Sequence, residues 1–319
     1  MKTIGVLTSG GDAPGMNAAV RAVVRTALSL GMNVKGIRRG YNGLIEGDII
    51  DMDIRSVSDI IHRGGTFLYT ARSPRFKTEE GILEAVANCK KFGIEGIAVV
   101  GGDGSFRGAR DLSNHGIPCV GIPATIDNDI ASTEYSIGFD TAMNTSMEMI
   151  DRIRDTAQSH DRCSVVEVMG RHAGYIALQT GIACGATAIL VPEVKTDVAE
   201  VIKKIEATRA TGRKNFIIIV AEGVGGAHEM AKEIEEKTGV ETRASILGHV
   251  QRGGRPTVRD RVMATELGNA AVHLLSNGIG NRVVGYKGGE VLNYDIFEAL
   301  NMTKEFDFDM LRVANETSN

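Results

Sequence analysis

Ile97-Ala98-Val99-Val100-Gly101-Gly102-Asp103-Gly104-Ser105 reads as a buried strand that ends on a glycine- and aspartate-rich turn. A short unbroken apolar run bounded by glycine fits a strand covered on both faces. About two dozen residues later the pattern returns, with Cys119 to Ile122 leading into Pro123-Ala124-Thr125-Ile126-Asp127-Asn128-Asp129. Glycines let the backbone approach a phosphate, and carboxylates can hold Mg²⁺ or take a proton. The pair implies phosphoryl transfer.

Working outward, Ile4 to Leu7 opens onto Thr8-Ser9-Gly10-Gly11-Asp12, Ser164 to Val168 onto Met169-Gly170-Arg171, and Phe216 to Val220 onto Ala221-Glu222-Gly223. Helical patterns fill the intervals. Residues 17–30 place Ala18, Val20, Val23, Val24 and Ala27 on one broad apolar face, and Gly31 supplies a stop. Residues 142–156 carry Met143, Met147, Ile150 and Ile153 at helical spacing, which predicts core packing, and 198–211 repeat the pattern with Val201, Ile202 and Ile205. Strand and helix in alternation predict an α/β fold with mainly parallel sheets. Ligands of such sheets bind beyond the carboxyl ends of the strands. Glycine, carboxylate or arginine stands at each of those ends.

The totals agree with an ordinary globular enzyme. A length of 319 residues fits two α/β domains or one large one. A net charge of −4 argues against a nucleic-acid binder that works by bulk electrostatics. Cys89, Cys119, Cys163 and Cys184 form no Cys-x-x-Cys pair, and no signal peptide is evident, so reduced, buried thiols in the cytoplasm are expected. Apolar runs such as 216–221 are far too short to span a bilayer.

Each motif has a bland reading beside the chemical one. Residues 8–17 match neither a Walker loop nor a Gly-x-Gly-x-x-Gly fingerprint and could be only a well-formed helix start. Gly101 to Ser105 could be a plain Asp-Gly turn; its chemical reading puts Asp103 on a metal that bridges phosphates. Asp127 and Asp129 share a side if the chain is extended and diverge if it turns; one could activate a hydroxyl while the other binds metal. Arg72, Arg162, Arg171, Arg243 and Arg252 suit phosphate capture, though a solvated charge is the commoner fate of any one of them. His160 and His172 lack ligand-like spacing, which makes zinc improbable.

These motifs, with Gly64-Gly65-Thr66 through Arg72, Gly138 to Ala142 and Leu247 to Gly254, resemble the bacterial-type ATP-dependent 6-phosphofructokinases from end to end. The resemblance implies two Rossmann-like three-layer domains: an ATP-binding domain of 1–138 plus 251–301, and a fructose 6-phosphate-binding domain of 139–250 plus 302–319. It implies ATP contacts at Gly11, Arg72, Ser73, Gly102, Asp103, Gly104 and Ser105, with Asp103 on Mg²⁺. Asp127 would be the base for the sugar 1-hydroxyl, with Thr125, Asp129, Arg72 and Arg171 completing the catalytic set. The sugar phosphate would meet Thr125, Ile126, Asp127, Met169, Gly170, Arg171, Glu222, His249, Val250, Gln251 and Arg252, joined by Arg162 and Arg243 of a neighbouring subunit in a homotetramer. An effector site for ADP or phosphoenolpyruvate would draw on Arg21, Ala22, Val23, Val24, Arg25, Asp59, Arg154, Gly185, Ala186, Thr187, Arg213, Lys214 and Asn215.

Three positions depart from the family pattern. Ala124 stands where the ATP users have glycine, and Thr187 and Thr211 stand where a glutamate and a basic residue are usual. Pyrophosphate-using relatives typically carry lysine at 124 and aspartate at 104, so Gly104 and the small Ala124 favour ATP. Thr187 and Thr211 imply weakened or altered allostery. Alternatives are a pyrophosphate-dependent enzyme, an NAD or lipid kinase with the same turn, a catalytically dead nucleotide sensor, and, on fold alone, a dehydrogenase. Neither nucleic acid nor membrane is an expected partner.

Overall fold

The computed structural model describes residues 1–318. In chain order the elements are β1 (Thr3–Ser9), α1 (Met16–Ser29), β2 (Asn33–Ile37), α2 (Gly40–Glu46), β3 (Ile49–Met52), α3 (Glu79–Lys91), β4 (Gly96–Gly101), α4 (Asp103–Asn114) and β5 (Cys119–Pro123). There follow α5 (Phe139–Ser159), β6 (Cys163–Val168), α6 (Tyr175–Ala183), β7 (Ala188–Leu190), α7 (Val198–Ala210), β8 (Phe216–Ala221), α8 (Ala227–Thr238) and β9 (Thr242–Ile246). The chain closes with α9 (Val258–Ser276), β10 (Arg282–Lys287), β11 (Glu290–Asp295), α10 (Ile296–Asn301) and α11 (Phe308–Thr317).

These elements form two compact units. The first is Met1–Ile126, Ile130–Thr141 and Arg252–Lys304; the second is Asp127–Asp129, Ala142–Gln251 and Glu305–Asn319. Apart from the short excursion of Asp127–Asp129, the chain changes unit after Thr141, Gln251 and Lys304, where the resemblance places the changes after 138, 250 and 301.

The first unit holds a seven-stranded sheet in the order β11-β10-β5-β4-β1-β2-β3. Its inner strands run parallel, while β3 and β11 are antiparallel edges. Strands β4 and β5 are buried along their whole length, as unbroken apolar runs require. Helices α1 and α9 pack together on one face. On the other, Tyr41, Leu44, Ile82, Val86, Phe106 and Leu112 from α2, α3 and α4 close a core over Leu7, Ile97 and Val99.

The second unit has an all-parallel four-stranded sheet, β7-β8-β6-β9. Val201, Ile202 and Ile205 of α7 and Met230 and Ile234 of α8 cover Val165, Ile218 and Val220. The expected helices over 17–30, 142–156 and 198–211 correspond to α1, α5 and α7. One packing expectation needs correction. Ile150 is fully buried on α5, but Met143, Met147 and Ile153 are only half-buried, and the buried stripe runs instead through Ala142, Ser146, Ile150 and Ala157. Helical period identifies an apolar face without fixing which edge of it lies innermost.

Cys89, Cys119 and Cys163 are buried free thiols, whereas Cys184 is half-buried. Burial pushes the Cys89 and Cys163 thiols up to about 12, which leaves them unreactive. Among the described residues no helix is long and apolar enough to cross a membrane.

Candidate active site

In the first unit the strands β1, β4 and β5 are neighbours, and their register sets the C-terminal turns side by side: Ser9 pairs with Gly101, and Gly101 with Pro123. The chain order also reverses here. β1 is flanked by β2 on one side and β4 on the other, which makes this edge the topological switch point of the sheet. A hydrogen bond from Ala124 N to Gly101 O, 2.9 Å, ties the second turn to the first.

Helix α4 begins at Asp103 with no side-chain cap, so its first amide groups and positive dipole end are offered to an anion. Two glycines of this turn have different reasons to be there. A Cβ at Gly101 would stand 2.4 Å from Ser105 Oγ and 2.5 Å from Ser9 O, so the fold itself demands glycine. A Cβ at Gly104 would meet nothing within 4 Å, so packing does not. From beneath, the Tyr41 hydroxyl donates to Ser105 O at 2.5 Å, and its ring stacks on Phe76. Tyr41 belongs to no sequence motif, and its partner lies 64 residues along the chain. Asp103 is half-exposed and pairs with Arg107 one turn on, at 2.9 Å.

The 69–73 segment is fastened beside the first turn. Thr8 Oγ1 donates to Tyr69 O and Thr70 Oγ1 to Gly10 O, each at 2.8 Å, which carries the exposed Arg72 and the half-buried Ser73 toward Gly10 and Gly11. Arg252 is here too. Its Nη1 donates to Asp12 O at 3.1 Å and lies where a Cβ on Gly11 would be 2.7 Å away. The structure therefore sets Arg252 over the 11–12 backbone, a contact the sugar-phosphate expectation does not contain.

The 125–129 stretch is a turn. Asn128 has φ 53°, in the left-handed region, so Asp127 and Asp129 do not share a strand face. Asp127 is 5% exposed and Thr125 8%, while Asp129 is half-buried. Ser136 Oγ donates to Thr125 O at 2.7 Å and braces the turn from behind. The Ile126 side chain is fully buried. A sugar contact at this position would therefore come from its backbone.

In the second unit the ends of β6, β8 and β9 are adjacent: Val168 pairs with Ala221, and Glu167 with Ile246. Glu222 Oε1 accepts from Gly170 N at 3.2 Å and Arg171 N at 2.6 Å. This holds a turn in which Gly170 has φ 142° and Arg171 φ 59°, and leaves the Arg171 side chain exposed. His249 and Val250 are exposed on the next turn, beyond β9. Gln251 is fully buried, and both ends of its side-chain amide bond to protein, so the amide itself is committed to the fold.

Arg162 and Arg243 stand elsewhere. Arg162 immediately precedes β6 and Arg243 is the second residue of β9, at the N-terminal edge of the sheet. Both pair with Glu241, at 2.9 Å and 2.6 Å. The Arg162 contact, with Arg243 adding to it, holds the Glu241 carboxyl below its ordinary value. Five strand steps of about 3.3 Å put this edge roughly 16 Å from the edge that carries Met169, Glu222 and His249.

The expected effector residues divide between the units. On α1, Arg21 and Arg25 are half-buried, and burial with mutual repulsion lowers the Arg21 pKa; Asp59 is exposed. Ala22, Val23 and Val24 are core residues, so an effector contact at these positions would come from backbone. In the second unit Arg154 bonds to Cys184 O, Arg213 to Asn215 O, and Lys214 pairs with Asp161 at 3.5 Å. Burial, with Arg154 nearby, lowers the Arg213 pKa. Next to Gly185 and the buried Ala186, Thr187 is fully buried with its hydroxyl unpartnered.

The family description Phosphofructokinase matches residues 3–275. This chain belongs to the phosphofructokinase family. It is 57% identical over 318 residues to the ATP-dependent 6-phosphofructokinase of Bacillus licheniformis, with 100% of each chain covered, and 56% identical over the same span to that of Bacillus subtilis. Among solved structures, phosphofructokinase from Saccharomyces cerevisiae superposes with TM-score 0.90 at 35% identity, covering 100% of this chain and 48% of the yeast chain. Pyrophosphate-dependent phosphofructokinase from Marinobacter aquaeolei gives TM-score 0.86 at 22% identity, covering 98% of this chain and 91% of that one; this likeness shows the fold alone. The two-unit α/β architecture with mostly parallel sheets is thus the family's own.

Proposed function

We propose that the chain transfers the γ-phosphoryl group of ATP to the 1-hydroxyl of D-fructose 6-phosphate, giving fructose 1,6-bisphosphate and ADP. The observation that carries this reading is the register-fixed adjacency of the turns at Gly11, Gly102–Ser105 and Thr125 at the switch point of the first sheet. Full-length relatives named for this reaction supply the substrates. The first unit then serves as the ATP-binding unit and the second as the fructose 6-phosphate-binding unit.

On this reading Gly11, Arg72, Ser73 and Gly102 to Ser105 bind ATP, the amides at the start of α4 meeting its phosphates. Asp127 takes the proton from the 1-hydroxyl, a weak nucleophile until a base is positioned against it. Arg72 and Arg171 offset charge on the group in transfer, with Thr125 and Asp129 positioning it. Met169, Gly170, Glu222 and His249 hold the sugar phosphate. The residues present fit Mg²⁺: Asp103 offers one accessible carboxylate, and its ion pair with Arg107 is exposed and weak. With one carboxylate from the protein, such an ion would draw its other ligands from phosphate and water. Held by Asp103, it would neutralise charge on the phosphates.

Ala124 is fully buried, so its methyl is spent on packing and leaves the nucleotide side clear. This supports ATP as donor. The separation of Arg162 and Arg243 from the other sugar-side turns supports their delivery by a neighbouring subunit, within a homotetramer. ADP and phosphoenolpyruvate are the proposed effectors. With the buried Thr187 in place of a carboxylate, the response is weakened.

The test is an assay of the purified protein for fructose 1,6-bisphosphate with ATP or pyrophosphate, each with and without ADP or phosphoenolpyruvate. ATP alone should support turnover, with little change on adding phosphoenolpyruvate. Turnover with pyrophosphate and none with ATP would reverse the donor assignment. Strong sigmoidal inhibition by phosphoenolpyruvate would sink the effector reading.

A further inference from the structure

We propose that Gln251 is a positioning residue that sets the sugar-phosphate turn against the 169–171 turn without touching the substrate; this rests on the fructose 6-phosphate reading above. Its neighbours His249, Val250 and Arg252 are all at least partly exposed, whereas Gln251 is fully buried. Its Oε1 accepts from Met169 N at 3.2 Å and lies 3.0 Å from Ser146 Oγ. Its Nε2 donates to Gly248 O at 3.0 Å. The backbone N–H of Met169 can only donate and the carbonyl of Gly248 can only accept, so the amide has one workable orientation.

Three segments meet on this side chain. Gly248, with φ 56°, begins the turn that carries His249. Met169 begins the turn that Glu222 clamps and that presents Arg171. Ser146, itself fully buried on α5, shares its single proton between Gln251 Oε1 and Ala142 O, 2.8 Å away. A buried amide with partners at both ends fixes the distance between the elements it joins, because losing either contact strands a polar group. Gln251 therefore transmits the position of α5 and of the β6 end to the turn that holds His249.

Ser146 makes the proposal separable from direct binding, since a buried serine on α5 has no access to substrate. The experiment compares Gln251→Ala, Ser146→Ala and the double variant in the full chain, by KM for each substrate, kcat, thermal midpoint and backbone hydrogen exchange. Gln251→Ala should raise KM for fructose 6-phosphate about tenfold, the scale of one or two net hydrogen bonds, and leave KM for ATP within about twofold. Ser146→Ala should raise the same KM by less, and the double variant should be no worse than Gln251→Ala. Exchange at Met169 and Arg171 should quicken in Gln251→Ala. A silent Ser146→Ala beside a severe Gln251→Ala would mean direct sugar contact and overturn the inference. So would a rise in both KM values together, or a drop in thermal midpoint with neither KM moved. Unchanged exchange at Met169 and Arg171 would overturn it whatever the substrate. A wild-type protein inactive on fructose 6-phosphate would instead defeat the functional reading.

Discussion

Asp260 and Thr141 lock the starts of two helices to each other. Asp260, in the first turn of α9, accepts through Oδ2 from both the backbone N–H and the hydroxyl of Thr141 near the start of α5, while Thr141 Oγ1 accepts from Thr257 N at 3.0 Å. The other oxygen, Oδ1, accepts from Gly138 N at 2.8 Å. Burial pushes the Asp260 carboxyl up and these hydrogen bonds pull it back. The segment so held pairs Ile137 with Ala124 and braces Thr125 through Ser136, so the lock stands directly behind the 125 turn. Asp260→Ala leaves three donors without their acceptor and should cost about 3 kcal/mol or more of unfolding free energy. Denaturant unfolding of the variant beside an exposed control, Glu266→Gln, measures it. A midpoint equal to wild type would show that the lock carries no stability.

The fold does not require glycine at 104; the proposed nucleotide site does. A side chain there enters open space, and an aspartate near the start of α4 interacts favourably with the helix dipole. Gly104→Asp should therefore melt within about 0.5 kcal/mol of wild type, or slightly above it, while ATP turnover falls at least about a hundredfold through repulsion of the phosphates. An equally stable variant with normal ATP kinetics would remove Gly104 from the nucleotide site. Gly101→Ala is the contrast, since clashes with Ser105 and Ser9 make it a folding defect.

Asp127 is nearly enclosed, on a turn that Asn128 bends in the left-handed conformation. Its proposed role is to take a proton in the transition state, so removing it should spare substrate binding. Asp127→Ala should lower kcat by about a hundred- to ten-thousandfold with KM for fructose 6-phosphate changed by less than about fivefold. Near-normal turnover in this variant would reject Asp127 as the base.

How far the sequence could be read follows from the range of each interaction. The βαβ rhythm, the strand ends and the glycine turns are local patterns, and each of these turns follows a strand in the structure. Whether 127–129 was extended or turned stayed open because it hangs on one dihedral, that of Asn128. Asp260 and Tyr41 lay outside every motif because their partners are 119 and 64 residues away along the chain. Gln251 resembled a ligand contact because its neighbours look like ones; only burial separates it from them. The helical face of α5 was legible, but its innermost edge depends on what packs against Ser146 and Ile150, which spacing does not encode.

Arg162 and Arg243 sit at the opposite strand ends from Met169, Glu222 and His249 in the same sheet, about 16 Å away by strand rise. Strands in register hold the two edges apart, so one phosphate cannot meet both within a subunit; on the proposed role each site would need the arginines of another copy. Complementation follows. Homo-oligomers of Arg162→Ala/Arg243→Ala should bind fructose 6-phosphate poorly, and homo-oligomers of Asp127→Ala should turn over poorly. Unfolded together and refolded as mixed oligomers, the two should regain activity, because some sites then combine an intact Asp127 with intact arginines from a neighbour. Recovery should rise with the mixing ratio to a maximum near equal amounts and be absent when the two are mixed without subunit exchange. Verified mixed oligomers with no more activity than the parent variants would place both arginines outside a shared site.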